Sequence, residues 1–194
     1  MIDRDSVTLG ILAGGRASRL GGLDKAWLER DGTPQVLRIA RRFDSQVATV
    51  IASANRDLSR YTNHGISAVA DDVADAGPMA GLDAICRMCR TRWLLTIPVD
   101  VIGVNECLLK TLAAEAGTTG SFAIDDDGPQ PLVALWRMEA LREVIASAIA
   151  SHDFAIHVLQ ARLKMARVHF LGVRFGNLNT PVDLIAAGMD QRHE

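Results

Sequence analysis

Short apolar runs and helical stripes alternate along most of the chain. Residues 7–12, 47–52, 67–70 and 93–100 are brief and mostly apolar, the pattern of strands buried on both faces. Between them Val36, Leu37, Ala40 and Phe43 recur at helical spacing. Met79, Leu82, Ile85, Cys86 and Cys89 do the same, so each set lines one buried helix face. Thr33 reads as the N-cap of the first helix and Pro34 as its first residue. Asn105 reads as the cap of a helix through Leu108, Leu109, Leu112 and Ala113, closed by Gly117. Residues 121–124 and 132–136 read as strands on either side of Asp125-Asp126-Asp127-Gly128-Pro129, whose acids fit a solvated turn. Met138, Leu141, Val144, Ile145 and Ala148 mark another helix, and Phe154, Val158, Leu159 and Leu163 one more, starting near Ser151. Residues 167–171 suggest a last strand. Thr180 and Pro181 suit the cap and first turn of a short helix reaching Gly188. Strands alternating with helices predict an α/β fold: a doubly wound, mostly parallel sheet with right-handed crossovers, and antiparallel strands near residues 119–136.

Composition narrows this picture. A length of 194 residues suits a single domain, 1–194, and 48% apolar residues are ample for one core. No apolar run approaches the roughly 18 residues of a membrane span. The opening Met1-Ile2-Asp3-Arg4-Asp5 is charged and unlike a signal peptide, so a cytoplasmic protein is expected. A net charge of −2 gives no general case for nucleic acid or an anionic membrane as partner. Three cysteines, an odd number, argue against a disulfide framework. Cys86 and Cys89 form a C-x-x-C, but on the apolar helix face. They read as small buried hydrophobes, or as a metal or redox pair if further ligands or an exposed helix start accompany them. The five histidines are scattered without ligand spacing.

The chemistry concentrates in the stretch from Gly10 to Lys25, GILAGGRASRLGGLDK. An apolar strand runs into paired glycines, two arginines and a lysine. Glycine lets successive backbone N–H groups turn toward an anion and approach it closely. Arg19 and Lys25 add full charge. The stretch reads as a polyphosphate site at the carboxyl end of the first strand, or else as an ordinary glycine turn with solvated basic residues. It is neither a Walker A loop, since no Gly-Lys-Ser/Thr follows, nor the G-x-G-x-x-G dinucleotide fingerprint. Asp100 ends a long apolar run, where a carboxylate can hold a metal against phosphates or simply cap a helix. Asp71-Asp72 is either a solvated turn or part of the same site. Asn177-Leu178-Asn179-Thr180-Pro181 reads, at its blandest, as a turn followed by a cap.

Leu12 to Lys25, followed by Gly32-Thr33-Pro34, resembles the signature of the molybdenum cofactor guanylyltransferases within the nucleotidyltransferase superfamily. Gly14-Gly15 and Gly21-Gly22 resemble the guanylyl branch, because the sister cytidylyltransferases usually read Leu-Ala-Ala-Gly and lack the second Gly-Gly. Gly77-Pro78-Met79-Ala80-Gly81, Pro98-Val99-Asp100 and Asn177 to Pro181 resemble further family motifs, so the likeness covers nearly the whole chain. It implies a Rossmann-like nucleotidyltransferase fold and transfer of GMP from GTP to molybdopterin or its molybdenum form, with release of pyrophosphate. It implies that Leu12, Ala13, Gly14, Gly15, Lys25, Ser53, Asn55, Asp71, Gly81 and Asp100 hold the nucleotide. Arg19, Lys25 and Asp100 would serve the chemistry, Asp100 would hold Mg2+, and Asn177 and Asn179 would lie beside the pterin. Gln130 to Leu135 resembles a stretch that flanks the pterin pocket. Cofactor-insertion proteins and molybdoenzymes are the implied partners. Ser53 stands where the family usually has Asn, and Val101-Ile102-Gly103 departs from its usual Thr/Met-Pro. Two other readings compete: a nucleotidyltransferase with another base or acceptor, such as CTP or a sugar phosphate, and a non-catalytic nucleotide-binding protein of the same fold.

Overall fold

The computed structural model describes residues 2–14, 24–73 and 75–189. In chain order the strands and helices are β1 (Val7–Leu12), β2 (Glu29–Arg30), β3 (Thr33–Pro34), α1 (Gln35–Phe43), β4 (Thr49–Ser53), α2 (Leu58–Thr62), β5 (Ser67–Val69) and α3 (Pro78–Met88). They continue as β6 (Trp93–Pro98), α4 (Leu108–Glu115), β7 (Gly120–Asp125), β8 (Gly128–Arg137), α5 (Met138–Ala150), α6 (Ile156–Leu163), β9 (Ala166–His169) and α7 (Pro181–Ala186). Seven strands form one sheet in the order β5-β4-β1-β6-β8-β7-β9. The pairs β1–β4, β1–β6, β4–β5 and β7–β9 are parallel, whereas β8 runs antiparallel to both neighbours. The mostly parallel sheet and its antiparallel insert are therefore as the sequence predicts.

Helices cover both faces. Val7, Leu9 and Ile11 of β1 join α1 and α4 in one core, and α3, α5 and α6 pack on the other face. Gly10 is what lets α3 settle: a Cβ there would lie 3.0 Å from Leu94 and 3.1 Å from Ile85. The connections β1–β4 and β4–β5, through α1 and α2, thus lie on one face, and the connection β5–β6, through α3, lies on the other. The sheet changes direction at β1, and the crevice at such a switch point is where open α/β sheets bind ligands.

Three local expectations need correction. Thr33 does not cap α1: Thr33 and Pro34 pair with Arg30 and Glu29 as a small hairpin, and α1 begins at Gln35 with Pro34 in the cap position and no side-chain cap. The α6 helix starts at Ile156 rather than near Ser151, because α5 runs to Ala150 and His152 takes a positive φ that breaks the path. Asn105 sits two residues ahead of the α4 cap position, its side chain accepting from Cys107 N at 3.0 Å. The Thr180 cap is found as expected. Its Oγ1 accepts from Asp183 N, and Asp183 Oδ2 accepts in return from Thr180 N, a reciprocal capping box.

Candidate active site

The carboxyl ends of β1, β4, β5 and β6 surround a cavity of about 680 Å³. Leu12, Gly14, Asn55, Asp71, Gly81 and Asp100 are among its lining residues. The chain beyond β1 is fixed from both sides, since Ala13 N donates to Ser53 O and Val99 N to Leu12 O. Gly15 and Arg19 lie outside the described residues.

One polar cluster centres on Asp71. Ser53 Oγ donates to its Oδ1 at 2.7 Å and Asn55 Nδ2 to its Oδ2 at 3.0 Å. Asp71 N donates back to Asn55 Oδ1 at 2.9 Å. Ser53 is itself buried, so here the serine works as a strut that aims Asp71. The two adjacent acids divide their roles. Asp71 turns toward Ser53 and Asn55, while Asp72 pairs at 2.7 Å with the exposed Arg87, which also reaches Asp83 at 3.2 Å.

Backbone closes in on this cluster at two glycines. A Cβ on Gly14 would lie 2.9 Å from Asp71 Oδ2, and one on Gly81 would lie 2.6 Å from Ser53 Oγ and 3.2 Å from Leu12. Gly81→Ala therefore drives Ser53 out of its rotamer and off Asp71. Alanine stabilises a helix interior by about 1 kcal/mol over glycine, so α3 is expected to persist. On the expectation that Asp71 holds a nucleotide, losing this charge-assisted hydrogen bond weakens nucleotide binding about tenfold. Calorimetric titration beside a melting curve checks this; unchanged affinity would mean that Asp71 needs no strut.

A second cluster joins three distant segments. Lys25 Nζ stands 3.2 Å from Asp100 Oδ2 and 2.9 Å from Asn179 Oδ1. Lys25 opens a single 3-10 turn whose other two residues, Ala26 and Trp27, are buried. Asp24 caps that turn through Ala26 N at 3.0 Å. Burial pushes the Asp24 carboxyl up, against the pull of the Ala26 amide and of Arg56 and Arg60. Trp27 anchors the turn edge-on to Tyr61, with the Arg60 guanidinium 4.1 Å above its ring. Asp100 follows β6 and caps no helix, since α4 begins only at Leu108. Its carbonyl accepts from Leu178 N at 2.9 Å, and the next carbonyl, of Val101, accepts from the buried Gln35 Nε2 at 3.0 Å.

Residues 177–179 sit against this cluster without forming a strand of their own. Asn177 bridges to Val101, and Asn179 N donates to Asp183 Oδ2 at 3.0 Å. The unusual 101–103 stretch meets the same segment: Ile102 N faces the carbonyls of Phe175 and Gly176, and Gly103 lies against the backbone of Arg174, with no room for a Cβ. The departure from the family pattern is thus part of how this chain docks residues 174–177. Leu132 also lines the cavity, within the stretch expected to flank the acceptor.

The Asp125 to Asp127 loop corrects an expectation. Asp126 and Asp127 are exposed, but Asp125 is only 6% exposed and accepts from Phe175 N, Asp127 N and Gln130 Nε2. Burial alone would push its carboxyl up, yet these donors prevail and hold it below the usual range. Asp183 is held low by the Thr180 side chain, the Thr180 amide and the Asn179 amide. The Thr-x-x-Asp spacing could have revealed Asp183, whereas nothing local marks Asp125. Both carboxyls are held below the ordinary aspartate value, so their stabilisation is present above about pH 4 and lost as pH falls through the lowered range. The Phe175 amide resonance is expected to follow Asp125, and those of Asn179 and Thr180 to follow Asp183 together, each below about pH 4. Movement nearer neutrality, or Asn179 and Thr180 moving apart, would contradict the arrangement.

Cys86 and Cys89 are buried, and burial pushes the Cys86 thiol up to about 12. The pair belongs to the core. Among the described residues no three His, Cys, Asp or Glu side chains gather as a metal nest. Asp100 offers a single hard carboxylate, so a metal there would take its remaining oxygens from substrate and water. No helix of the described residues is long and apolar enough to cross a membrane.

Residues 9–165 match the family model for the MobA-like NTP transferase domain. The molybdenum cofactor guanylyltransferase of Cupriavidus taiwanensis is 35% identical over 196 residues, covering 96% of this chain and 98% of its own. Among solved structures, molybdopterin-guanine dinucleotide biosynthesis protein A from Archaeoglobus fulgidus superposes with a TM-score of 0.71 at 21% identity, covering 93% of this chain and 96% of its own. The 2-C-methyl-D-erythritol 4-phosphate cytidylyltransferase of Thermus thermophilus gives 0.70 at 16% identity, covering 96% and 98%. Guanylyl and cytidylyl enzymes thus share this fold, and it is the full-length sequence identity that separates them. By that criterion the chain belongs to the family of molybdenum cofactor guanylyltransferases.

Proposed function

We propose that the chain, as one nucleotidyltransferase domain, transfers GMP from GTP to the terminal phosphate of molybdopterin or its molybdenum form. The observation that carries this reading is the convergence of Lys25 and Asn179 on Asp100, which lines a cavity of nucleotide size. An acceptor phosphate oxygen attacks the α-phosphorus of GTP, a new P–O–P link forms, and the bond to the β-phosphate oxygen breaks. Pyrophosphate leaves with that bonding pair. The attacking phosphate is already ionised, so no general base is required, which fits the described residues of the site, where His and carboxylate side chains are not paired.

Both reactants are anions, so catalysis consists largely of alignment and charge cancellation. The Leu12 to Gly15 backbone would cradle the triphosphate, with Arg19 and Lys25 supplying positive charge. Ser53 and Asn55 hold Asp71 toward the nucleoside end, and Gly81 allows its close approach. Asn177 and Asn179 would face the acceptor. The lone Asp100 carboxylate beside a phosphate site suits Mg2+, which needs few protein ligands when substrate oxygens complete its shell. Bound there, Mg2+ would neutralise charge on the phosphate oxygens. A cytoplasmic enzyme that passes its product to cofactor-insertion proteins or molybdoenzymes is consistent with this chemistry.

Incubation with molybdopterin, Mg2+ and either GTP or CTP tests the reading. Guanine dinucleotide and pyrophosphate are expected from GTP, because polar groups matched to one base edge are left unpaired by the other. Preference for CTP would move the chain to the cytidylyl branch, and pyrophosphate only with another acceptor would replace molybdopterin. Nucleotide binding without any transfer would support a non-catalytic role.

A further inference from the structure

We infer that Asp125 is a positioning residue for the acceptor side: its carboxylate fixes residues 175–179 relative to Asp100 and Lys25. Its two oxygens serve different segments. Oδ1 accepts from Asp127 N at 3.0 Å and Gln130 Nε2 at 3.2 Å, closing the β7–β8 turn. Oδ2 reaches across 50 residues of sequence to Phe175 N at 2.8 Å. A residue needed only for the turn would have no use for the second contact.

The path onward is continuous. Phe175 is buried, with its ring 5.4 Å from that of Phe170. Gly176 and Phe175 offer their carbonyls to Ile102 N, Asn177 bridges Val101, Leu178 N holds Asp100 O, and Asn179 Oδ1 holds Lys25. Between β9 and α7 the chain has no helix or strand ladder of its own, so these tethers set its place. The other links from the turn fall on residues 172–174, ahead of Phe175: Asp126 N donates to Val173 O at 3.0 Å, Asp126 Oδ1 accepts from Gly172 N at an exposed site, and Asp127 and Arg174 form an exposed pair at 3.6 Å. Asp125 is the buried one.

Asp125→Asn keeps the shape but replaces one acceptor oxygen with an amide donor. Either Phe175 N or the turn then faces N–H against N–H. This inference rests on the reading that Asn177 and Asn179 face the acceptor, so Asn179→Ala is measured beside it. The molybdopterin KM of Asp125→Asn is expected to rise about tenfold and the GTP KM to stay within about twofold, the split that separates positioning from general loss of structure. Amide exchange at residues 175–179 should quicken in the same variant. If Asn179→Ala raises the molybdopterin KM while folded Asp125→Asn leaves it unchanged, the inference falls and the functional reading stands. If Asn179→Ala has no effect on molybdopterin, the acceptor reading fails and takes the inference with it. Equal rises in both KM values for Asp125→Asn would reduce Asp125 to a structural residue. Should Asp125→Asn not fold, Asp125→Glu, which keeps the charge but displaces the oxygens, is read by the same split.

Discussion

Asp100→Asn is expected to cut nucleotidyl transfer by about two orders of magnitude or more while leaving the protein folded. The substitution preserves size and one oxygen but removes the negative charge on which a sparsely liganded Mg2+ depends. Metal stabilisation of phosphoryl charge is worth several kcal/mol, which converts to a loss of about that size. The fold should tolerate it, because the carboxylate is partly exposed and the tethers at this position are to backbone carbonyls, from Leu178 N and Gln35. Its ion pair with Lys25 is 18% and 26% exposed at the two side chains, and in the variant the ammonium keeps Asn179 Oδ1 and the asparagine oxygen as partners. Single-turnover transfer across a Mg2+ series, with circular dichroism alongside, makes the test. A folded variant with near-parental transfer and an unchanged Mg2+ requirement would move the ligand elsewhere, with Asp71 or Asp72 next.

Lys25→Met is expected to lower transfer by about 100- to 1,000-fold, the usual cost of removing one preorganised donor from a developing oxyanion. The loss differs in kind from that at Asp100. Methionine retains the aliphatic stem and the buried turn of Ala26 and Trp27, but the carboxylate of Asp100 and the amide of Asn179 lose their shared cation. Lys25→Arg should rescue poorly, since a planar fork cannot replace a compact ammonium between two oxygens at 3.2 and 2.9 Å. Rapid-quench measurement with saturating GTP distinguishes chemistry from binding. A Lys25→Met rate within about tenfold of the parent would assign the main phosphate charge to Arg19 instead.

How much of this was legible depends on where each interaction lies in sequence. The central strands were readable because parallel strands buried on both faces leave uninterrupted apolar runs, and 7–12 and 93–98 have that form. Gly14 and Asp100 drew notice because they stand just beyond the ends of β1 and β6, where topology sends ligands, and both line the cavity. Ser53 was seen as a departure, but only the structure shows its hydroxyl aimed at Asp71. Asp125 was misread because acids beside Gly and Pro favour exposed turns, and its partner Phe175 is 50 residues away. Thr33-Pro34 has the residues of a helix start, yet a hairpin contact with Arg30 and Glu29 prevailed over that local preference.

The contact between Lys25 and Asn179 spans 154 residues, and that distance has a meaning in time. At a synthesis rate of about 5–20 residues per second, Asn179 follows Lys25 out of the ribosome by roughly 8–30 s. Asp100 arrives about midway. The strands β1 to β6, whose carboxyl ends surround the cavity, thus emerge before the segment that closes on Lys25, and that contact is among the last long-range links the chain can make.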